Sequence, residues 1–121
     1  MKTLLVVDDE VGITEALNDL LSEEGFHVLV AGNGREALAR MAEQRPDLIL
    51  LDYMMPVMDG RELLLALQAG TAHRDIPVLM MSAVPRTSLP PDCQPGHFLR
   101  KPFTIDRLLA EVIRLVGRGS P

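Results

Sequence analysis

The sequence predicts an α/β domain: a doubly wound five-stranded parallel sheet in the order 2-1-3-4-5, with helices on both faces and a fourth helix that is degenerate or irregular. Three observations carry this. Short apolar runs of strand length alternate with longer stretches whose apolar residues recur at helical spacing. Four of the five runs end on charged or hydroxyl residues (Asp8-Asp9, Asp52, Ser82 and Lys101), while the second ends on Ala31-Gly32. Parallel strands place all their carboxyl ends on one rim, so those polar residues share it and the second strand belongs at an edge.

Thr3 to Val7 is the first strand, followed by Asp8-Asp9-Glu10. Ile13, Ala16, Leu17, Leu20 and Leu21 line the first helix, and Gly25 marks its end. Phe26 to Val30 is the second strand, closed by Gly32-Asn33-Gly34. Ala37, Leu38, Met41 and Ala42 line a second helix that stops before Pro46. Asp47 to Asp52 is the third strand, and its unbroken apolar run from Leu48 to Leu51 marks it as buried on both faces. Pro56 forbids a helix directly afterwards. Asp59, with Glu62 three residues on, forms a capping box for a third helix lined by Leu63, Leu64 and Leu67 and ended by Gly70. Ile76 to Met81 is the fourth strand, ending at Ser82, and His97 to Arg100 the fifth, ending at Lys101-Pro102. Thr104 caps a last helix carrying Leu108, Leu109, Val112, Ile113 and Val116, with Gly117 just past its end. Between strands four and five, Val84 to Gly96 contains Pro85, Pro90, Pro91 and Pro95. That excludes a regular helix and leaves at most one turn around Arg86 to Leu89.

A chain of 121 residues fits one domain, placed at 1–117 with a short frayed tail at 118–121. Apolar residues make up 47%, which excludes a disordered chain, and no apolar run approaches a membrane span. The apolar start, Leu4 to Val7, is too short for a signal peptide. A single cysteine, Cys93, excludes an internal disulfide framework and fits a reducing cytoplasm. The net charge of −5, with no basic run, argues against direct nucleic-acid binding.

The rim residues define a chemistry. Three carboxylates in one pocket repel each other unless a cation is present. Mg²⁺ suits them, because it takes one or two carboxylates, keeps several waters and bridges to phosphate. Lys101 adds a positive charge for Asp52 or an incoming phosphoryl group, and Ser82 adds a hydroxyl donor. An aspartate at the end of a strand can itself attack phosphorus to form an aspartyl phosphate.

V-V-D-D-E (6–10), D-Y-M-M-P-V-M-D-G (52–60), M-S-A (81–83) and K-P-F (101–103) together resemble the receiver domain of two-component response regulators. The resemblance runs from Lys2 to about Val116. It implies that Asp52 accepts a phosphoryl group from a histidine kinase or histidine phosphotransfer protein. It also implies that Asp8, Asp9, Asp52 and the backbone carbonyl of Met54 hold Mg²⁺, and that Ser82 and Lys101 contact the phosphoryl group. Lys101-Pro102 is expected to be cis. Ser82 and Phe98 match the family's switch pair, which remodels the face toward a downstream partner or effector domain. The proline-rich segment departs from the family pattern and is expected to be mobile, ordering or changing on phosphorylation. Met54 and Val84 match positions flanking the hydrolytic water. Both are apolar, which implies slow self-dephosphorylation.

Other readings compete. A Mg²⁺-dependent phosphatase with an aspartate nucleophile usually needs a second acid two residues on, where this chain has Met54. A receiver-like interaction module that is not phosphorylated usually lacks an acid or the lysine, and all are present here. Gly32-Asn33-Gly34-Arg35-Glu36-Ala37 formally fits a dinucleotide fingerprint, but reads more simply as the turn into the second helix. Asp9 and Asp59 have capping as their plainer role. His27, His73 and His97 lack metal-ligand spacing.

Overall fold

The computed structural model describes residues 1–119, and Ser120 and Pro121 lie outside the described residues. Five parallel strands, β1 (Thr3–Val7), β2 (His27–Ala31), β3 (Leu48–Asp52), β4 (Val78–Ser82) and β5 (His97–Arg100), form one sheet in the order β2-β1-β3-β4-β5. The helices are α1 (Val11–Glu23), α2 (Gly34–Glu43), α3 (Gly60–Ala69) and α4 (Ile105–Val116). The proline-rich stretch holds only a 3₁₀ turn at Arg86–Ser88, because its prolines supply no N–H for a longer ladder. Fold class and strand order match the expectation.

Side-chain alternation splits the core into two layers. Leu4, Val6, Leu48, Leu50, Leu79, Met81 and Leu99 face Leu17 and Leu21 of α1 and Leu108 and Val112 of α4. Leu5, Val7, Ile49, Leu51, Val78 and Met80 face Ala37 and Met41 of α2 and Leu63, Leu64 and Leu67 of α3. Cys93, Leu89 and Phe98 complete that second layer where a helix is missing.

Three strands start later than predicted: β3 opens at Leu48 and not at Asp47, whose N–H donates to the Thr3 carbonyl at 2.8 Å. Phe26 donates its N–H to the Leu21 carbonyl at 3.1 Å, which keeps it in the turn closing α1, so β2 starts at His27. The Ile76 N–H turns back to the His73 carbonyl at 3.1 Å and Pro77 has no N–H, so β4 starts at Val78. Of the expected tail, residues 120–121 lie outside the described residues. Gly117 turns the chain at φ 83°, and Gly119 is buried against the backbone of Glu24 to Phe26.

The proline-rich segment is tied at several points. Arg61 of α3 pairs with Asp92 through two guanidinium nitrogens, Arg86 donates to the Pro95 carbonyl at 2.7 Å, and Cys93 is 1% exposed. Burial pushes the Cys93 thiol pKa upward, in line with an inert packing residue.

The caps set how the helices meet the rim. Asp59 and Glu62 form the expected capping box of α3, and Thr104 caps α4 by accepting from Arg107. Asn33, inside the Gly32-Asn33-Gly34 turn, accepts from the Glu36 N–H and caps α2. Asp9 caps nothing, since the N-cap of α1 is Glu10 without a side-chain cap bond.

Gly60 joins α3 to the end of β3. Its N–H donates to the Tyr53 carbonyl at 2.9 Å. A Cβ there would lie 2.5 Å from the Asp52 carbonyl oxygen and 2.8 Å from the Tyr53 Cα, backbone atoms that cannot turn aside. Gly60→Ala is therefore expected to destabilise the domain by about 1–3 kcal/mol in urea unfolding. An unchanged midpoint would show that the strand end can shift freely.

Candidate functional site

The pocket is built by strand parity. Asp8 continues the Leu4–Val6 side of β1, Asp52 the Leu48–Leu50 side of β3, and Lys101 the Leu99 side of β5. All three thus share the α1–α4 side of the sheet at its carboxyl rim. The Asp8 N–H donates to the Ala31 carbonyl at 3.1 Å, and the Lys101 N–H to the Ser82 carbonyl at 2.7 Å, so backbone fixes both. The Lys101-Pro102 bond is cis, as expected.

Lys101 Nζ lies 3.0 Å from Asp52 Oδ1 and 3.2 Å from Asp8 Oδ2. Asp8 is 1% exposed and Asp52 7%, while Asp9 stands open to solvent. Asp8 Oδ1 also accepts the Glu10 N–H at 3.0 Å. One carboxylate oxygen each from Asp8, Asp9 and Asp52 lie within 4.8 Å of one another. Three carboxylates and one ammonium leave the pocket net negative, and the donors are all hard oxygens, which fits a small divalent cation.

Burial above all pushes the Asp52 carboxyl from 3.8 up to about 6; the Lys101 hydrogen bond and charge pull it down, and the charges of Asp8 and Asp9 push it up. Burial opposes the Lys101 charge, but the hydrogen bond and charge of Asp52, then those of Asp8, leave its pKa above the ordinary lysine value.

Ser82 and Phe98 lie on the other side. They follow the Val78–Met80 side of the sheet, toward α3 and the proline-rich segment. Ser82 is buried, and its Oγ accepts the Val84 N–H at 2.9 Å. Phe98 is half-buried against Met80's layer. Met54 follows β3 in the loop, with its side chain 67% exposed. In the same loop Met58 donates its N–H to the Pro56 carbonyl at 2.7 Å around Val57, whose φ of 67° is strained for a β-branched residue. His27 and His97 start strands at the opposite rim and His73 lies outside the pocket, so none approaches the acids.

Sequence reasoning missed Arg100. Its Nε donates to the Ala83 carbonyl at 2.8 Å. The signal was its register, directly across from Ser82.

A doubly wound domain with an acidic pocket and a lysine on its carboxyl rim is of the receiver type. Residues 4–113 match the family model described as the response regulator receiver domain, and the chain belongs to that family, a signalling module of two-component systems. It is 38% identical over 121 residues to the response regulator MprA of Mycolicibacterium vanbaalenii, covering 98% of this chain and 52% of that protein. The chain spans about half the length of the curated relatives it matches. Among solved structures it resembles the chemotaxis response regulator CheY4 of Vibrio cholerae (31% identity, TM-score 0.87, covering 96% of this chain and 99% of that one). It also resembles the response regulator TrrA of Thermotoga maritima, solved in complex with Mg²⁺-BeF (33% identity, TM-score 0.83, covering 96% and 100%). Among the described residues no helix is long and apolar enough to cross a membrane.

The raised Asp52 pKa has a consequence for stability. In the metal-free protein above pH 6, folding holds ionised a carboxylate that burial disfavours. Between about pH 6 and 4 the native state takes up a proton that the unfolded chain does not, so stability rises as pH falls through that window. Asp52→Asn removes this cost while Lys101 keeps Asp8. The variant should be more stable than wild type by roughly 1–3 kcal/mol at pH 7.5 in chelator, with the gap closing near pH 4.5. Urea unfolding at both pH values checks this, and a destabilised variant at pH 7.5 would count against it.

Proposed function

We propose that this receiver takes a phosphoryl group onto Asp52 from a histidine kinase or histidine phosphotransfer protein, and then acts on a downstream protein or effector domain. The observation that carries the reading is Lys101 Nζ bridging Asp8 and Asp52 in a pocket of three gathered carboxylates. A structural ion pair would need one acid, and the excess negative charge calls for a cation. Asp8, Asp9 and Asp52, with the Met54 carbonyl, would hold Mg²⁺, in keeping with the Mg²⁺-BeF complex of TrrA. Bound there, Mg²⁺ supplies positive charge that offsets the phosphoryl oxygens.

The chain's own residues do the rest. An Asp52 carboxylate oxygen attacks phosphorus as the donor's P–N bond breaks, and the electron pair leaves on the imidazole. Lys101, already 3.0 Å from Asp52, neutralises charge beside the new P–O bond. Ser82 donates its hydroxyl to a phosphoryl oxygen, and Phe98, on the same side of the sheet, follows its movement toward the partner-facing surface. The receiver unit spans 1–117 and works in the cytoplasm, where a single buried free thiol such as Cys93 is ordinary. A membrane insertion and a direct nucleic-acid contact have no part in this reading.

Mass spectrometry after incubation with a small acyl phosphate tests it. A Mg²⁺-dependent gain of one phosphoryl group, absent in Asp52→Asn, is the expected result. No gain in the wild type would leave an interaction module that works unphosphorylated. The second expectation concerns reset, which is hydrolysis of the aspartyl phosphate by water. Met54 is exposed beside the pocket and Val84 follows Ser82 by two residues, and neither side chain can orient or deprotonate water. The phosphoryl state is therefore long-lived, and replacing both by polar residues should shorten it several-fold. A lifetime unchanged in that double variant would remove these residues from the account.

A further inference from the structure

We infer that Arg100 is a positioning residue that holds Ser82 in its resting orientation and thereby opposes the binding of a phosphoryl-like anion at Asp52. The inference rests on the reading of the pocket given above. Ser82 and Arg100 face each other across the β4–β5 ladder. The Val84 N–H donates to Ser82 Oγ at 2.9 Å, and Arg100 Nε donates to the Ala83 carbonyl at 2.8 Å. That N–H and that carbonyl belong to the same peptide group, the one joining Ala83 to Val84. One peptide plane is therefore gripped at both ends, by the serine hydroxyl and by a charged guanidinium.

Ser82 itself has little backbone freedom, because its carbonyl accepts the Lys101 N–H at 2.7 Å. What can move is its side chain and the peptide after it. The hydroxyl follows the Val78–Met80 side of the sheet, whereas Asp52 belongs to the opposite side. To donate to an oxyanion carried by Asp52, the hydroxyl must turn about Cα–Cβ and release the Val84 N–H. That amide then needs a new partner, which means rotating the Ala83–Val84 peptide. Arg100 holds the far end of that peptide and resists the rotation. Its effect is exerted on the resting arrangement, so it lowers the population of the anion-ready one.

Simple electrostatics gives the opposite sign. Arg100 is a positive charge next to Lys101, so by Coulomb attraction alone its removal would weaken anion binding. The sign of the change therefore separates the two roles.

The test is titration of the full chain with Mg²⁺ and beryllium fluoride, for the wild type, Arg100→Gln, Ser82→Ala and the double variant. Arg100→Gln should tighten binding by about two- to tenfold, the size of one hydrogen bond. In the Ser82→Ala background the same change should have no effect, because the serine end of the grip is already gone. In the ligand-free protein, hydrogen exchange at the Val84 amide should be faster in Arg100→Gln than in wild type. Weakened or unchanged binding in Arg100→Gln, or equal tightening with and without Ser82, would overturn the inference while leaving the pocket reading intact. Failure of the wild type to bind the probe would overturn the pocket reading itself, and this inference with it.

Discussion

Asp8 and Asp52 are almost entirely removed from water, and among the described residues Lys101 Nζ is the one cation that stands within 4 Å of both. Burying two carboxylates against one ammonium is electrostatically poor, and Asp9 at the pocket edge makes it poorer. Burial is the main reason the Asp52 carboxyl is pushed upward, and the charges of Asp8 and Asp9 add to it. A fold that tolerates such a pocket must hold it from outside. It does so with backbone: the Asp8 N–H on Ala31, the Lys101 N–H on Ser82, and the Gly60 N–H on Tyr53. Strand ends are thus clamped to neighbours on both sides, and the charges are presented with the rigidity of the sheet. The surplus of negative charge suits the pocket to a small divalent cation, whose charge the resting site lacks.

The same sheet separates the charged pocket from Ser82 and Phe98. Side chains at alternate positions leave opposite faces, so Asp8, Asp52 and Lys101 sit with α1 and α4, while Ser82 and Phe98 sit with α3 and the proline-rich segment. The two sides meet at the rim, at the residues that follow β4. Ser82 stands one register step beyond Met81, which pairs with Asp52. At that edge the backbone is held by a few hydrogen bonds: Val84 N–H on Ser82, Arg100 on the Ala83 carbonyl, and Lys101 N–H on the Ser82 carbonyl.

How far the sequence could be read follows from which forces are local. Asp8, Asp52 and Lys101 were legible because a polar residue closing a buried strand must lie at a rim, and parallel strands share one. The capping box at Asp59 and Glu62 and the single turn at Arg86–Ser88 were legible because caps and prolines act over a few residues. The starts of β2 and β4 were not, since they depend on whether Phe26 and Ile76 bond back into the preceding turn. The pinning of the proline-rich segment was hidden for a different reason: Arg61 and Asp92 are 31 positions apart and meet only once α3 is docked. Asp9 looked like a cap, but the chain turns one residue later, at Glu10, and so its carboxylate is left for the pocket.

The missing helix is best understood through what replaced it. A regular helix beside β4 and β5 would cover Met80 and Phe98 with an apolar stripe. Here Leu89 and Cys93 cover that layer from an irregular chain, and an ion pair from α3 holds the chain in place. Surface ion pairs contribute little stability, so the cover is held more weakly than a helix packed by its own apolar stripe would hold it. The pocket does not feel this, because its residues are anchored in the sheet. The Ser82–Phe98 side does, because its neighbours are the segment's own residues. A receiver built this way keeps its charged groups on the sheet and sets Ser82 and Phe98 beside a cover held by an ion pair and two side chains.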